Sequence, residues 1–302
     1  MTGLSVPQTG IFALGTHAHS YLELSLDAGA DPRAALTIAA GLSEPRTTMG
    51  GVNLVVGFRP ELWDSVVPQR SPDALTGFNE PVVGPDGFTM PATQHDIFLW
   101  TAGGSRDVVF DTVTAIIDAF AGVATVADEV SGWTYHRDLD LTGFIDGTEN
   151  PHLSEAPRHV LVAADRPGAA GSVLLVQKWR HDAASWNAVP VAEQEQVIGR
   201  TKPDSIELDP RPETAHAART DQDDFGKIFR RNVAYGSARE HGTMFVGFCN
   251  RRAPLADMLD SMAGLGGTRD ALTLYTTPLS GAYYFVPSLD DLAVLAPPED
   301  DD

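Results

Sequence analysis

Alternation and helical spacing predict most of the elements along this chain. Residues 19–27 (HSYLELSLD) alternate polar and apolar side chains, the period of a strand. Asp31-Pro32 opens a helix through Ala34, Ala35, Leu36, Ile38 and Ala39, since proline suits the first helical position. Residues 52–58 (VNLVVGF) and 95–100 (HDIFLW) read as strands. Between 107 and 120, Val109, Phe110, Val113, Ile116, Ile117 and Phe120 fall at helical spacing, with Asp107 as the expected cap. A strand around 125–135 completes the order β-α-β-β-α-β.

The second half repeats this order less cleanly. Strands are expected at 172–179 (SVLLVQKW), within 241–249 and at 282–286 (AYYFV). Helices are expected at 191–198 and at 254–262, where Leu255, Met258, Leu259 and Met262 share one face. Two such copies predict an α+β protein of two ferredoxin-like halves, each an antiparallel sheet with helices packed on it. The halves are placed at 1–140 and 141–295, followed by an acidic tail, 296–302. Residues 199–229 fall outside the repeat, and long irregular stretches in a compact domain are commonly functional.

Composition adds exclusions. A formal net charge of −20 argues against nucleic acid and anionic membranes as partners. No apolar run is long enough to span a bilayer, and MTGLSVPQTG lacks a basic region followed by an apolar core, so a cytoplasmic location is expected. The single cysteine, Cys249, rules out an intramolecular disulfide or a CxxC metal site.

Candidate chemistry concentrates in three places. LTGFIDGTENP (141–151) brings Asp146 to a turn beside Phe144 and Ile145, with Gly143 and Gly147 on either side. A surface turn is the bland reading of Asp-Gly. His216 lies in TAHAAR among small residues that let a large flat ligand approach the imidazole. IFRRNVAYG (228–236) sets Arg230, Arg231 and Asn232 between apolar residues, and a buried arginine needs an anionic or polar partner, for which Asp146 is a candidate. A structural ion pair explains that pairing as readily as catalysis does. His17 and His19 share a strand face, a spacing weighed as a metal pair against a solvated face. GLGGT (264–268) follows a helix and reads as its stop.

GFIDGTENP, VQKWRHDAASWN, EQEQVIGRTK, the lone His216, IFRRNVAYG and GTMFVGFCNR occur in that order. This succession resembles the dye-decolorizing peroxidases, and most of all their B-type group. The resemblance runs from GFRPELW (57–63) through TPLSGAYYFVPS (277–288). It implies one haem b per chain, held in the C-terminal half, with His216 as the proximal ligand of the iron. It makes Asp146, Arg230 and Asn232 the distal catalytic residues and sets Gly147, Thr148 and Glu149, with Arg230, along the haem. The implied activity reduces hydrogen peroxide through a ferryl intermediate (compound I) and oxidises dyes, phenols or other one-electron donors.

A haem-handling protein of the same fold with little turnover is the alternative, and a haem-free protein with a structural Asp146–Arg230 pair is a third reading. Asp221, Asp223, Asp224 and Asp270 are all candidates to hold the second ring nitrogen of His216. Trp179, Trp186, Tyr235 and Tyr283 are candidate electron relays. Burial and Arg230 push the Asp146 carboxyl in opposite directions, so its charge is left open. A homo-oligomer joined through sheet edges is expected, as dimer or hexamer. Some B-type members carry a tail that directs them into a protein nanocompartment; APPEDDD does not look like that signal, so such a cargo role is not expected.

Overall fold

The structure, a computed structural model, describes residues 5–42 and 51–295; the acidic tail lies outside the described residues. The first half runs β1 (Ala18–Leu26), α1 (Pro32–Gly41), β2 (Val52–Phe58), β3 (Ile97–Gly103), α2 (Arg106–Ala119) and β4 (Ala124–Trp133). Asp31 caps α1 by accepting from the Arg33 amide at 3.0 Å. The cap of α2 is Ser105 rather than Asp107, which lies in the first turn and accepts the Ser105 hydroxyl.

The second half runs β5 (Ser172–His181), α3 (Val191–Ile198), β6 (Phe229–Gly236), β7 (His241–Cys249), α4 (Ala253–Met262) and β8 (Ala282–Val286). Strand β6 is the element that makes the second copy complete, and alternation along the sequence conceals it. One face carries Phe229, Arg231 and Val233, while the other carries Arg230 and Asn232, so neither reads as uniformly apolar.

Strand orders are β2-β3-β1-β4 and β8-β5-β7-β6, antiparallel throughout. The two sheets then join edge to edge. Phe285 of β8 pairs with Phe58 of β2, and Gly132 and Trp133 of β4 pair with Tyr235 and Ala234 of β6. Eight strands thus close into a ring in which each is paired on both sides. These seams are short, one residue pair between β8 and β2 and two between β4 and β6.

Closure creates a shared interior lined by side chains of all eight strands, among them Tyr21, Val55, Trp100, Val130, Val176, Val233, Val246 and Tyr284. The outer face of the first sheet packs on α1 and α2, and that of the second on α4. β1 shows the consequence for sequence reading. Its apolar set, Leu22 and Leu24, faces the helices, while its polar set, His19, Tyr21 and Glu23, is buried as well. Alternation that ordinarily marks a solvated face here marks the joint between halves. No helix among the described residues is long and apolar enough to cross a membrane.

Candidate active site

The turn at 141–151 is held on two sides. The Asp146 amide donates to the Asp138 carbonyl at 2.7 Å, the Asp140 amide to the Phe144 carbonyl at 2.9 Å, and Leu139 bridges Ile145. Gly147 has φ +74°, a left-handed conformation that glycine adopts without strain. Asn150 then docks the turn onto β6: its Nδ2 donates to the Arg230 carbonyl at 2.7 Å and its Oδ1 accepts the Arg230 amide at 2.9 Å. An amide side chain thus supplies both halves of a backbone pairing.

That docking brings Asp146 to Arg230 and Asn232, which share a face of β6 two residues apart. Asn232 Nδ2 donates to Asp146 Oδ1 at 2.9 Å, and Arg230 Nε lies 3.6 Å from the same oxygen. Arg230 Nε and Asn232 Oδ1 are buried with no hydrogen-bond partner among the described residues. Burial raises the Asp146 carboxyl above its usual range, and the charge of Asp140 adds to this. Arg230, the Gly147 amide and Asn232 oppose the shift without cancelling it. Between burial and Arg230, burial therefore sets the direction of the shift.

His216 opens a short helix, His216–Arg219, after the fully buried Ala215. Its Nδ1 lies 2.7 Å from Asp270 Oδ2. The other oxygen of Asp270 accepts the Leu272 amide at 2.8 Å, so the carboxylate is fixed from both ends. Asp270 is thus the partner of the imidazole; Asp221 instead pairs with Arg211 at 2.6 Å, and Asp223 with Lys227 at 2.7 Å. With Nδ1 engaged, Nε2 is the ring atom left to act as a neutral ligand.

His216 and the Asp146 group line one cavity of about 1240 Å³, its open mouth included. Its wall is apolar where Leu255, Met258, Leu259 and Met262 of α4 face β5 and β7, as the helix pattern predicts. Thr148 and Glu149 line it too, whereas Gly147 borders a neighbouring cavity on the far side of the Asp146 wall. Arg200, paired with Glu149, adds a cation that the sequence reading did not single out. Asp140, His181 and Thr243 line the cavity as well; His181 and Thr243 fall within VQKWRHDAASWN and GTMFVGFCNR, while Asp140 lies one residue before LTGFIDGTENP. Of the four aromatic candidates, all are buried and only Trp179 lines this cavity. His19 has both ring nitrogens within 3.5 Å of internal groups, Trp100 Nε1 and the Thr16 carbonyl, and is not arranged to chelate.

Comparison with known proteins matches this chain along nearly its whole length. The family descriptions "Dyp-type peroxidase, N-terminal" and "Dyp-type peroxidase, C-terminal" fit residues 16–134 and 137–291. A dye-decolorizing peroxidase of Rhodococcus erythropolis is 34% identical over 304 residues, spanning 95% of this chain and 88% of the relative. One from Mycobacterium tuberculosis is 35% identical over 268 residues, spanning 85% and 78%. Among solved structures, a Rhodococcus jostii DypB variant in complex with heme superposes with a TM-score of 0.88 at 32% identity, covering 96% of this chain and 99% of that one. A dye-decolorizing peroxidase of Bacteroides thetaiotaomicron gives 0.88 at 27%, covering 96% and 98%.

Proposed function

Because the chain belongs to the Dyp-type peroxidase family, we propose that it is a haem peroxidase in which His216 ligates the iron and Asp146, Arg230 and Asn232 serve the peroxide. The observation that carries this reading is that one cavity is lined both by an imidazole anchored on Asp270 and by a group of carboxyl, guanidinium and amide. The chemistry of the cavity fits the group. Its floor is apolar, its nitrogen donor is oriented, and two buried polar atoms, Arg230 Nε and Asn232 Oδ1, lack partners within the protein. One cavity of this kind gives one haem b per chain. Arg200 at the cavity wall offers a counter-charge for the carboxylates of haem.

Haem supplies the iron at which hydrogen peroxide is reduced and into which donor electrons then pass. The protein manages protons and charge. Asp146, whose carboxyl is raised by burial, lines the cavity and moves a proton between the two oxygens of peroxide. Arg230 stabilises negative charge on the departing oxygen, and Asn232 orients Asp146. Phe144 and Ile145 line the cavity and limit water there. Dyes, phenols and other one-electron donors are the reductants, and Trp179, which lines the cavity, passes electrons from donors too large to enter.

Purified protein should take up one equivalent of haem, show a Soret band and bleach a dye only when peroxide is added. His216→Ala should lose that spectrum. Arg230→Ala should slow peroxide reduction roughly 100-fold or more, at least as much as Asp146→Ala. An unchanged rate in Arg230→Ala would remove its role; a Soret band without bleaching would make the chain a haem-handling protein instead. No uptake of haem at all would leave Asp146–Arg230 as a structural pair.

A further inference from the structure

Asp146 is not the only carboxylate on its wall. Asp140, across the hairpin, lines the same cavity and also the neighbouring one. Its Oδ1 accepts the Thr142 amide at 2.8 Å and its Oδ2 accepts the Thr243 hydroxyl at 2.6 Å. Thr243 has a single hydroxyl hydrogen, and Asp140 takes it. Its oxygen, 3.1 Å from His181 Nε2, therefore faces that nitrogen as an acceptor, and Nε2 carries a proton. The result is a directed chain, His181 Nε2–H to Thr243 Oγ1–H to Asp140 Oδ2. It starts at the last residue of β5, where His181 is only partly buried, and ends at Asp140, and all three residues line the cavity.

A peroxidase needs such a chain. Each turnover breaks the O–O bond of one hydrogen peroxide, takes two electrons from donors and takes up two protons to release two waters. When electrons arrive through the protein from a bulky donor, the donor's own protons stay outside. We propose that His181, Thr243 and Asp140 form the proton-entry path of this site, with Asp140 recharging Asp146. His181 accepts a proton from solvent at Nδ1 and releases one from Nε2 to Thr243. The Thr243 hydrogen passes to Asp140, and Asp140 hands the proton on to Asp146, its neighbour on the same wall. This path rests on the peroxidase reading above.

The charges around the chain suit that direction. Burial alone would raise Asp140, but His181, Thr243 and Thr142 together bring it below the usual carboxylate range. Asp146 is raised, chiefly by burial, with Asp140 adding to the shift and Arg230, the Gly147 amide and Asn232 opposing it. His181 is lowered, chiefly by burial, with Asp140 opposing and His241 adding to the shift, which favours the neutral ring that donates from Nε2 to Thr243. Two neighbouring carboxyls driven in opposite directions form a donor and an acceptor.

Thr243→Val removes the hydroxyl link and Thr243→Ser keeps it. In the haem-loaded enzyme, Thr243→Val should lower kcat for dye oxidation roughly 10-fold or more, leave KM for peroxide unchanged and enlarge the slowing caused by deuterium oxide. Thr243→Ser should restore all three. A second readout needs no haem: the infrared band of the protonated Asp146 carboxyl, identified by its loss in Asp146→Asn, should titrate at lower pH in Asp140→Asn. The proposal is overturned if Thr243→Val turns over like wild type, if Thr243→Ser is equally impaired, or if Asp140→Asn leaves that titration unmoved. A wild-type protein that consumes no peroxide would instead overturn the peroxidase reading itself.

Discussion

At the scale of single residues, the site depends on how side chains are held rather than on which ones are present. Asp270 shows this most directly, because its two oxygens serve different masters, the His216 imidazole and the Leu272 amide. Asp270→Asn keeps the shape and removes the charge. It should weaken haem retention roughly 10- to 100-fold, read as transfer of haem to a competing apoprotein. Asp146 gives a pH prediction with a definite sign. A carboxyl whose folded pKa is raised binds its proton longer in the native state, so the native state loses ground as pH rises past the unfolded value. Asp146→Asn should therefore melt higher than wild type at neutral pH, and the gain should vanish in acid below the ordinary carboxylate range. Sequence pattern and family likeness named His216, Asp146, Arg230 and Asn232 as one group. They could not choose Asp270 among four aspartates, because the choice depends on the chain returning 54 residues later, from the turn after α4. Nor could they reach Asp140, Thr243 and His181, whose meaning lies in a hydrogen bond between adjacent strands and a hairpin.

At the scale of elements, the turn bearing Asp146 has its position only through β6. Asn150 is the fastener, since both of its hydrogen bonds go to the backbone of Arg230. Asn150→Ala leaves a half-buried amide and carbonyl without that partner and should cost about 1–3 kcal/mol in urea unfolding. It should also slow peroxide reduction, because Asp146 and Arg230 are no longer registered against each other. Most elements were legible from spacing: α1 with its Asp31 cap, α3, α4, β2, β7 and β8 fall where the pattern places them. Where reading failed, physical causes are visible. β6 escaped because the cavity places polar side chains on a face that alternation would assign to core, and the cap of α2 moved because Ser105 precedes Asp107 in the same turn.

At the scale of the whole molecule, the ring of strands buries groups that titrate far from the site. Glu23 of β1 accepts the Tyr284 hydroxyl of β8 inside the shared interior, and burial pushes its carboxyl up to about 7. Between the unfolded value of 4.5 and about 7, the unfolded chain has released a proton that the native state still holds, so stability falls with rising pH across that window and levels above it. Glu23→Gln should flatten this decline, as melting temperatures from pH 4 to pH 8 would show. The two halves were readable as a repeat, but not their joining, because the seam pairs residues as far apart as Phe58 and Phe285. That separation bears on synthesis. A ribosome releases the first half long before β6 and β8 exist, leaving Phe58 of β2 and Gly132 and Trp133 of β4 without their pairing partners. Until the chain is finished, its own second half is the proper partner for those residues, and a neighbouring nascent copy is the nearest wrong one. Residues 1–140 made alone should therefore cross-pair or aggregate.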